Sequence, residues 1–307
     1  MNLPADVAFQ IKSTESELDA EADFGNERRA VREALSAFPI TFHYPKTHTK
    51  GRIIIVPGWS GTRCGPADLL VFLASRLSGA GWECARVEMP ARGDSRGQFD
   101  STTLDDMIAV AAALAQSPAD QTFILGLCSG GNVALGAVSQ ANPQSAIRNP
   151  QCNVGVIAIS TLPFQPARSK EFEQKRRWKN IKNYAAKALS PNTWLRLLKG
   201  EINVDRVKKN VSASEKPAAG ERNLKDSARD IEKELLSWKG PALFIWGSGD
   251  EEAALARTHF EKLHQKGMGA RDRTHFQTIQ GANHNFYSRG WREELCAKIL
   301  DFIEQKV

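Results

Sequence analysis

Apolar, strand-like runs alternate with helix-like segments along most of this chain, and this alternation restricts the fold more than any other feature. Strands are predicted at 40–44, 53–56, 83–89, 122–127, 154–159, 242–246 and 275–279. The segments between most of them have the periodicity of amphipathic helices. Because strands joined through helices form right-handed crossovers, we predict an α/β fold with a mostly parallel central sheet and helices on both faces.

The alternation is interrupted once, between residues 163 and 238, by a charged segment with helical periodicity and no strand of its own. We interpret 163–238 as a helical lid inserted into an α/β core that consists of 36–162 and 239–307. Residues 1–35 would be a lead-in segment. A core with an insertion also explains the length of 307 residues, since an ordinary domain has about 100–200.

Basic residues are concentrated in the predicted lid. Residues 163–210 contain 13 Lys and Arg against 4 Asp and Glu, a net charge of +9 in a chain whose total is +6. The run 175–179 (KRRWK) places an aromatic ring among positive charges, as in some nucleic-acid-binding proteins. Such a run is more often a solvated helix face, so we expect no nucleic-acid partner. The charge is suited to attract an anionic small-molecule substrate.

Cysteine usage and hydropathy exclude several classes of protein. The five cysteines are widely spaced and form no CxxC pair, a pattern that predicts neither a disulfide framework nor a zinc site. No apolar run approaches the roughly 18 residues that a membrane span requires, and the N-terminus lacks the features of a secretory signal. We expect a cytoplasmic protein without a metal, a cofactor or a membrane span.

The segment 126–131 (GLCSGG) follows a predicted strand and begins a helix of small residues. A nucleophile in a tight strand-to-helix turn needs small residues two positions before and after it, because strand and helix approach closely there. Cys128 has glycine at both positions, whereas Leu127 lies two positions before Ser129. We therefore favour Cys128 over Ser129 as the nucleophile, and the helix N-terminus that follows favours its thiolate. A buried cysteine without chemistry is the alternative.

Two further loops, each after a predicted strand, contain the base and the acid that such a nucleophile needs. His284 is the candidate base, and Asp250 is the candidate acid that orients it. Open α/β sheets place their sites at the carboxyl ends of the strands, where both loops are expected. Glu251 and Glu252 are adjacent alternatives to Asp250. All three acids would otherwise form the acidic first turn of the next helix.

These motifs resemble those of the α/β-hydrolase superfamily from about Ile40 to the C-terminus. The elbow resembles the superfamily's G-x-S-x-G motif with cysteine in the central position, and the order of nucleophile, acid and histidine is the same. The resemblance implies an oxyanion hole formed by two backbone N–H groups, those of Ser129 and Trp59. Trp59 lies in the loop after the strand 53–56, and packing against the sheet edge is the other interpretation of this residue.

Shorter similarities point to subgroups of the superfamily. The segment 88–95 (EMPARGDS) resembles the superfamily's D-x-P-G-x-G-x-S loop, with Glu88 and Ala91 as departures, and we expect a structural role for it. Dienelactone hydrolases share the G-x-C-x-G-G elbow but usually lack a long lid. Bacterial hydrolases associated with exosortase and exopolysaccharide loci are similar in the elbow, in the turn 93–95 and in the lid segment 189–200.

The resemblance implies hydrolysis of an ester, lactone or thioester through an acyl-enzyme on Cys128. His284 would act as general base and then acid, and Asp250 would fix its tautomer. An acyltransferase with the same triad and a non-catalytic hydrolase-like binding protein are the alternatives. Four apolar residues of the lid are candidates for lining an acyl site: Trp178, Tyr184, Trp194 and Leu198. They would otherwise form the core of the lid itself.

Overall fold

A computed structural model describes residues 39–46, 48–95, 102–115, 121–140, 154–164 and 224–305. Its strands are β1 (Ile40–His43), β2 (Arg52–Val56), β3 (Glu83–Val87), β4 (Thr122–Leu127), β5 (Val154–Ile159), β6 (Ala242–Gly247) and β7 (Thr274–Ile279). Its α-helices are α1 (Leu69–Gly79), α2 (Leu104–Ala115), α3 (Ser129–Gln140), α4 (Ile231–Leu235), α5 (Ala253–Gln265) and α6 (Arg289–Ile303). All seven predicted strands are confirmed, and each end lies within two residues of its prediction.

The strands form one sheet in the order β1-β3-β2-β4-β5-β6-β7. Only β1 is antiparallel, with Ile40 opposite Val87 of β3, and the five remaining pairings are parallel. The predicted mostly parallel sheet is therefore confirmed. Since β4, β5, β6 and β7 are successive neighbours, the loops at their carboxyl ends lie side by side along one edge of the sheet.

The central strands are buried on both faces, as their continuous apolar sequences require. Helices α1 and α6 cover one face, where Phe302 meets Phe123 edge-to-face at 5.8 Å between ring centroids. On the other face Phe244 stacks on Phe260 of α5 at 4.9 Å. This packing fixes the sheet and hence the edge at which its loops emerge.

The chain divides into two compact units, residues 1–163 with 227–307, and residues 164–226. Helix α4 belongs to the first unit, although it falls in the range 163–238 predicted as the lid. The Asp230 side chain caps this helix by accepting a hydrogen bond from the N–H of Lys233 at 3.2 Å. The lead-in segment 1–35 and most of the lid lie outside the described residues, so the lid and its boundaries stay a prediction.

Cys64, Cys84, Cys128 and Cys296, the four cysteines within the described ranges, are free thiols. None of the described helices is long and apolar enough to cross a membrane.

Replacement of Gly131 by alanine is expected to destabilise the fold by about 1–3 kcal/mol, the usual cost of overpacking a core. A Cβ atom at position 131 in α3 would overlap the hydroxyl of Thr161, which is fully buried, and would also lie 2.8 Å from its Cβ atom. Gly79→Ala is the matched control, because a Cβ there meets nothing within 4 Å. Urea unfolding of the two variants measures the difference. Equal stability of Gly131→Ala and the unmodified protein would contradict this packing.

Candidate active site

Cys128 lies between β4 and α3 in a strained turn. Its φ angle is +57°, a left-handed conformation that costs a residue with a side chain about 1–2 kcal/mol. Its N–H donates to the carbonyl of Ile159 at the end of β5, at 2.7 Å. A Cβ at Gly126 would overlap the backbone of Gly130, and one at Gly130 would lie 2.5 Å from the carbonyl oxygen of Pro57. Both glycines are therefore required for the close approach of strand and helix.

His284 and Asp250 lie in contact in the loops that follow β7 and β6. Nδ1 of His284 is 2.7 Å from Oδ2 of Asp250. The carboxylate is 7% exposed and the imidazole 33%, so the acid is enclosed while the base remains accessible. The other carboxylate oxygen accepts the N–H of Glu252 at 3.2 Å. Of the three candidate acids, the structure places Asp250 against the imidazole.

The loop that carries His284 is fixed by residues that the sequence analysis missed. The hydroxyl of Ser160 donates to the carbonyl oxygen of His284 at 2.9 Å. Ser160 is fully buried and has a φ angle of +48°. The side-chain oxygen of Asn283 accepts the N–H of Asn285 at 3.2 Å and that of Tyr287 at 3.4 Å. A serine directly after an apolar strand, at the site edge of the sheet, was the available signal.

The environment of Cys128 favours its thiolate. Burial opposes ionisation, but hydrogen bonds from the imidazole of His284 and from Ser129, together with the positive charge of the imidazolium, lower the pKa of Cys128. The hydrogen bonds to Asp250 and Cys128 outweigh burial and raise the pKa of His284 to about 10. The two shifts stabilise each other as a thiolate–imidazolium pair.

Two other described thiols behave in the opposite way. Burial is the main cause that raises the pKa of Cys84, and it raises the pKa of Cys296 to about 11. Neither thiol is therefore ionised near neutral pH. Since the thiolate is the nucleophilic form, Cys128 is set apart from both by its surroundings.

Trp59 and Ser129, the two residues predicted for the oxyanion hole, are in contact. The backbone N–H of Trp59 donates to the hydroxyl oxygen of Ser129 at 2.6 Å. Gly58 adjoins the elbow, since a Cβ built on it would lie 3.5 Å from the Cβ of Cys128. The Trp59 N–H therefore faces the elbow. Its acceptor is the hydroxyl of Ser129, whereas the sequence predicted a role only for the backbone N–H of that residue.

One known protein family matches this chain over most of its length. A sequence model described as the alpha/beta hydrolase family matches residues 53–295. The chain belongs to the alpha/beta hydrolase family. A search of curated proteins found no significant match to this hydrolase.

Solved structures resemble this hydrolase over most of its length. They include a dienelactone hydrolase from Anabaena variabilis, with 12% identity, 88% of this chain and 92% of that chain covered, and a TM-score of 0.52. Est1E from Butyrivibrio proteoclasticus with bound ferulic acid has 16% identity, coverages of 87% and 94%, and a TM-score of 0.54. A monoacylglycerol lipase from Paleococcus ferrophilus has 20% identity, coverages of 87% and 98%, and a TM-score of 0.53. At such identities the likeness shows the fold alone, and the predicted α/β-hydrolase fold is confirmed.

The remaining predicted site residues belong to the predicted lid. Trp178, Tyr184, Trp194 and Leu198 all lie outside the described residues. Within the described ranges, no group of three or more His, Cys, Asp or Glu side chains is placed to hold a metal ion. The described site thus combines a thiol whose pKa is lowered, an imidazole in contact with a carboxylate, and the backbone N–H of Trp59 directed at the elbow.

Proposed function

We propose that this protein hydrolyses an ester, lactone or thioester through an acyl-enzyme on Cys128. The observation that carries the proposal is the 2.7 Å contact between the Asp250 carboxylate and the His284 imidazole, and the same imidazole lowers the pKa of the Cys128 thiol. The structural neighbours named dienelactone hydrolase and monoacylglycerol lipase support a substrate of the ester type.

In the first half of the reaction, the Cys128 thiolate attacks the carbonyl carbon of the substrate. A carbon–sulfur bond forms, and the carbonyl π electrons move to the oxygen, which becomes an oxyanion. The oxyanion then collapses, the bond to the leaving group breaks, and the His284 imidazolium gives its proton to the departing oxygen or sulfur. The product of this half is a thioester on Cys128.

In the second half, water replaces the leaving group. His284, now neutral, takes a proton from the water while its oxygen attacks the thioester carbon. A second oxyanion forms and collapses, which releases the carboxylic acid and restores the thiolate. Asp250 holds the imidazole in one orientation through both halves and stabilises its positive charge.

Both oxyanions need hydrogen-bond donors where the charge develops. The backbone N–H groups of Ser129 and Trp59 are the proposed donors. The Ser129 hydroxyl accepts from the Trp59 N–H, so the substrate oxygen has to displace that hydroxyl to reach this donor. Ser129 therefore has to turn its side chain as the first oxyanion forms.

The chemistry of sulfur favours esters and thioesters over amides. When the first oxyanion collapses, a thiolate leaves more readily than an unprotonated amine, so an amide is the less favoured substrate. The same thioester would pass its acyl group to another acceptor if the lid excluded water, which keeps acyl transfer as a second outcome. Attraction of an anionic substrate by the basic lid, a cytoplasmic location and a place in the exosortase-associated group stay predictions.

The proposal is tested by trapping the intermediate. The protein is mixed with aryl esters and with short and long acyl thioesters, quenched in acid, and digested for mass spectrometry. We expect the mass of the acyl group on the peptide that contains Cys128, located by fragmentation on the sulfur and not on Ser129, with no addition to the peptides of Cys84 and Cys296. Acylation on Ser129, or the absence of an acyl-enzyme with every donor, would contradict the proposal. Adding alcohols and amines then separates transfer from hydrolysis by the products released.

A further inference from the structure

Arg92 is a buried arginine that contacts Trp59 in two ways. Its Nε donates to the carbonyl oxygen of Trp59 at 2.7 Å. Its guanidinium carbon lies 4.7 Å from the centroid of the Trp59 ring, over the face of the indole. Only 4% of Arg92 is exposed. Burial of a guanidinium is unfavourable unless its surroundings compensate, and here the backbone and ring of one residue supply part of the compensation.

The loop that presents Arg92 has an unusual backbone. Ala91 and Gly93, its two neighbours, both have left-handed φ angles, of +59° and +51°. A Cβ at Gly93 would lie 2.5 Å from the carboxylate of Glu88, so this position requires glycine. Nη1 of Arg92 donates to the carbonyl oxygen of Pro90 at 2.6 Å, which holds the side chain against its own loop. Strained backbone of this kind persists only where the surrounding contacts determine it.

A second connection joins the same two loops at another point. Arg63, in the Trp59 loop, donates its backbone N–H to Glu88 at 2.9 Å, and its guanidinium pairs with Glu88 and, at 2.8 Å, with Asp94. The loops would therefore stay joined if the contacts of Arg92 were removed. To this connection Arg92 adds contacts with the carbonyl and the ring of Trp59 itself.

We propose that Arg92 is a positioning residue for the oxyanion hole, because it fixes both the carbonyl and the ring of Trp59. The amide nitrogen of Trp59 is attached to the same Cα atom as the side chain and the carbonyl group, so holding those two groups fixes the position of this nitrogen. Its N–H points to Ser129 at the elbow. The inference rests on the proposed function, in which this N–H stabilises the oxyanion.

Loss of this hold is expected to affect the chemical step rather than substrate binding. Removal of one oxyanion donor lowers kcat by about 10²–10³-fold in enzymes where it has been measured. Misdirection of the Trp59 N–H should have an effect of about the same size or smaller, with KM little changed, because the oxyanion exists only in the transition state and the intermediates.

The experiment compares Arg92→Lys with Asp94→Asn. Lysine keeps the charge but loses the planar group that lies over the indole and donates to the carbonyl. Asp94, whose side chain is 73% exposed, is paired with Arg63 at the other connection and serves as the control. Three quantities are measured: the rate of Cys128 acylation by p-nitrophenyl acetate, the rate of its alkylation by iodoacetamide, and hydrogen exchange at the Trp59 amide.

For Arg92→Lys we expect acylation to slow by about 10-fold or more, alkylation to stay within about twofold because it forms no oxyanion, and exchange at Trp59 to accelerate. Asp94→Asn should match the unmodified protein in all three. Unchanged acylation and unchanged exchange in Arg92→Lys would overturn the inference. If the unmodified protein forms no acyl-enzyme, the proposed function fails, and the exchange at Trp59 still decides whether Arg92 holds that residue.

A second variant covers the case in which Arg92→Lys does not fold. Trp59→Leu removes the indole from the guanidinium but keeps the backbone N–H and the carbonyl that accepts from Arg92. We expect it to acylate more slowly than the unmodified protein and to leave alkylation unchanged. A Trp59→Leu protein with the acylation rate and the residue-59 amide exchange of the unmodified protein would contradict a role for the ring.

Discussion

Replacement of Cys128 by alanine is expected to lower kcat/KM for an ester or thioester by about 10⁴-fold or more, as for other enzymes that lose their nucleophile. The variant retains the Cβ atom, the left-handed turn and the hydrogen bond of the backbone N–H to Ile159. Its fold should therefore be preserved, and unfolding curves of the two proteins check this. Steady-state kinetics with the substrates that acylate the unmodified protein measure the loss.

The same experiment distinguishes Cys128 from its neighbour Ser129. Ser129→Ala removes the hydroxyl but retains the thiol and the backbone N–H of residue 129. It should still form an acyl-enzyme on Cys128, with altered rates, because the hydroxyl contributes to the lowered pKa of the thiol and accepts from Trp59. Full activity of Cys128→Ala together with complete inactivity of Ser129→Ala would reverse the assignment.

The contact between Asp250 and His284 is an example of what the sequence does predict. The two residues are 34 positions apart, yet each follows a strand, and β6 and β7 are parallel neighbours whose carboxyl ends coincide. Alternation of strands and helices thus predicts not only the sheet but also which loops meet. The requirement for small residues at Gly126 and Gly130 was predicted separately, from the close approach of strand and helix at the turn around Cys128.

The sequence did not predict the left-handed backbone conformation of loop residues other than glycine. Glycine marks a left-handed position in a sequence, but Ala91, Ser160 and Phe286 adopt positive φ angles without it. Two of these residues support the candidate site. Ala91 directly precedes Arg92, which donates to the carbonyl oxygen of Trp59, and the hydroxyl of Ser160 donates to the carbonyl oxygen of His284. Such conformations are imposed by tertiary contacts, so a single sequence gives no local signal for them.

Buried polar pairs were missed for a similar reason. The strand predicted to extend to Met89 ends at Val87, and Glu88 turns its buried carboxylate to Arg63. Hydrophobic periodicity treats a charged residue as a surface residue, whereas here the charge is paired inside the protein. The two connections between the Trp59 loop and the Arg92 loop were therefore invisible before the structure was known.

Replacement of Asp250 by asparagine is expected to lower kcat/KM at neutral pH by up to about 10⁴-fold, the effect of the same change in other catalytic triads. The hydrogen bond to Asp250 is the largest cause of the raised pKa of His284. Without the carboxylate this pKa falls from about 10, and the imidazolium no longer stabilises the thiolate. The pKa of Cys128 should rise in consequence, because its hydrogen bond and charge interaction with His284 weaken.

The pH dependence of alkylation by iodoacetamide and of kcat/KM measures these changes. In the unmodified protein, kcat/KM should rise as Cys128 ionises and fall as His284 loses its proton near pH 10. In Asp250→Asn the lower pH limit, set by Cys128, should move up and the upper limit, set by His284, should move down, so kcat/KM is high over a narrower pH range. Glu251→Gln, a change to an exposed acid in the same loop, is the control and should leave the profile unchanged. If Glu251→Gln narrows the range while Asp250→Asn does not, the acid of the triad is Glu251.

The free energy of unfolding should also depend on pH through His284, and the raised pKa of this residue fixes the direction of the change. Because the pKa of His284 in the folded protein, about 10, exceeds the 6.5 of an unperturbed histidine, the group stabilises the fold fully below pH 6.5. This contribution is lost as the pH rises through about 10. Asp250→Asn removes its main source, so the stability difference between the two proteins should be largest at neutral to mildly acidic pH and shrink toward pH 10 and above. A difference that grew with pH would mean that His284 is neutral in the folded protein and that Cys128 lacks the cation its thiolate requires.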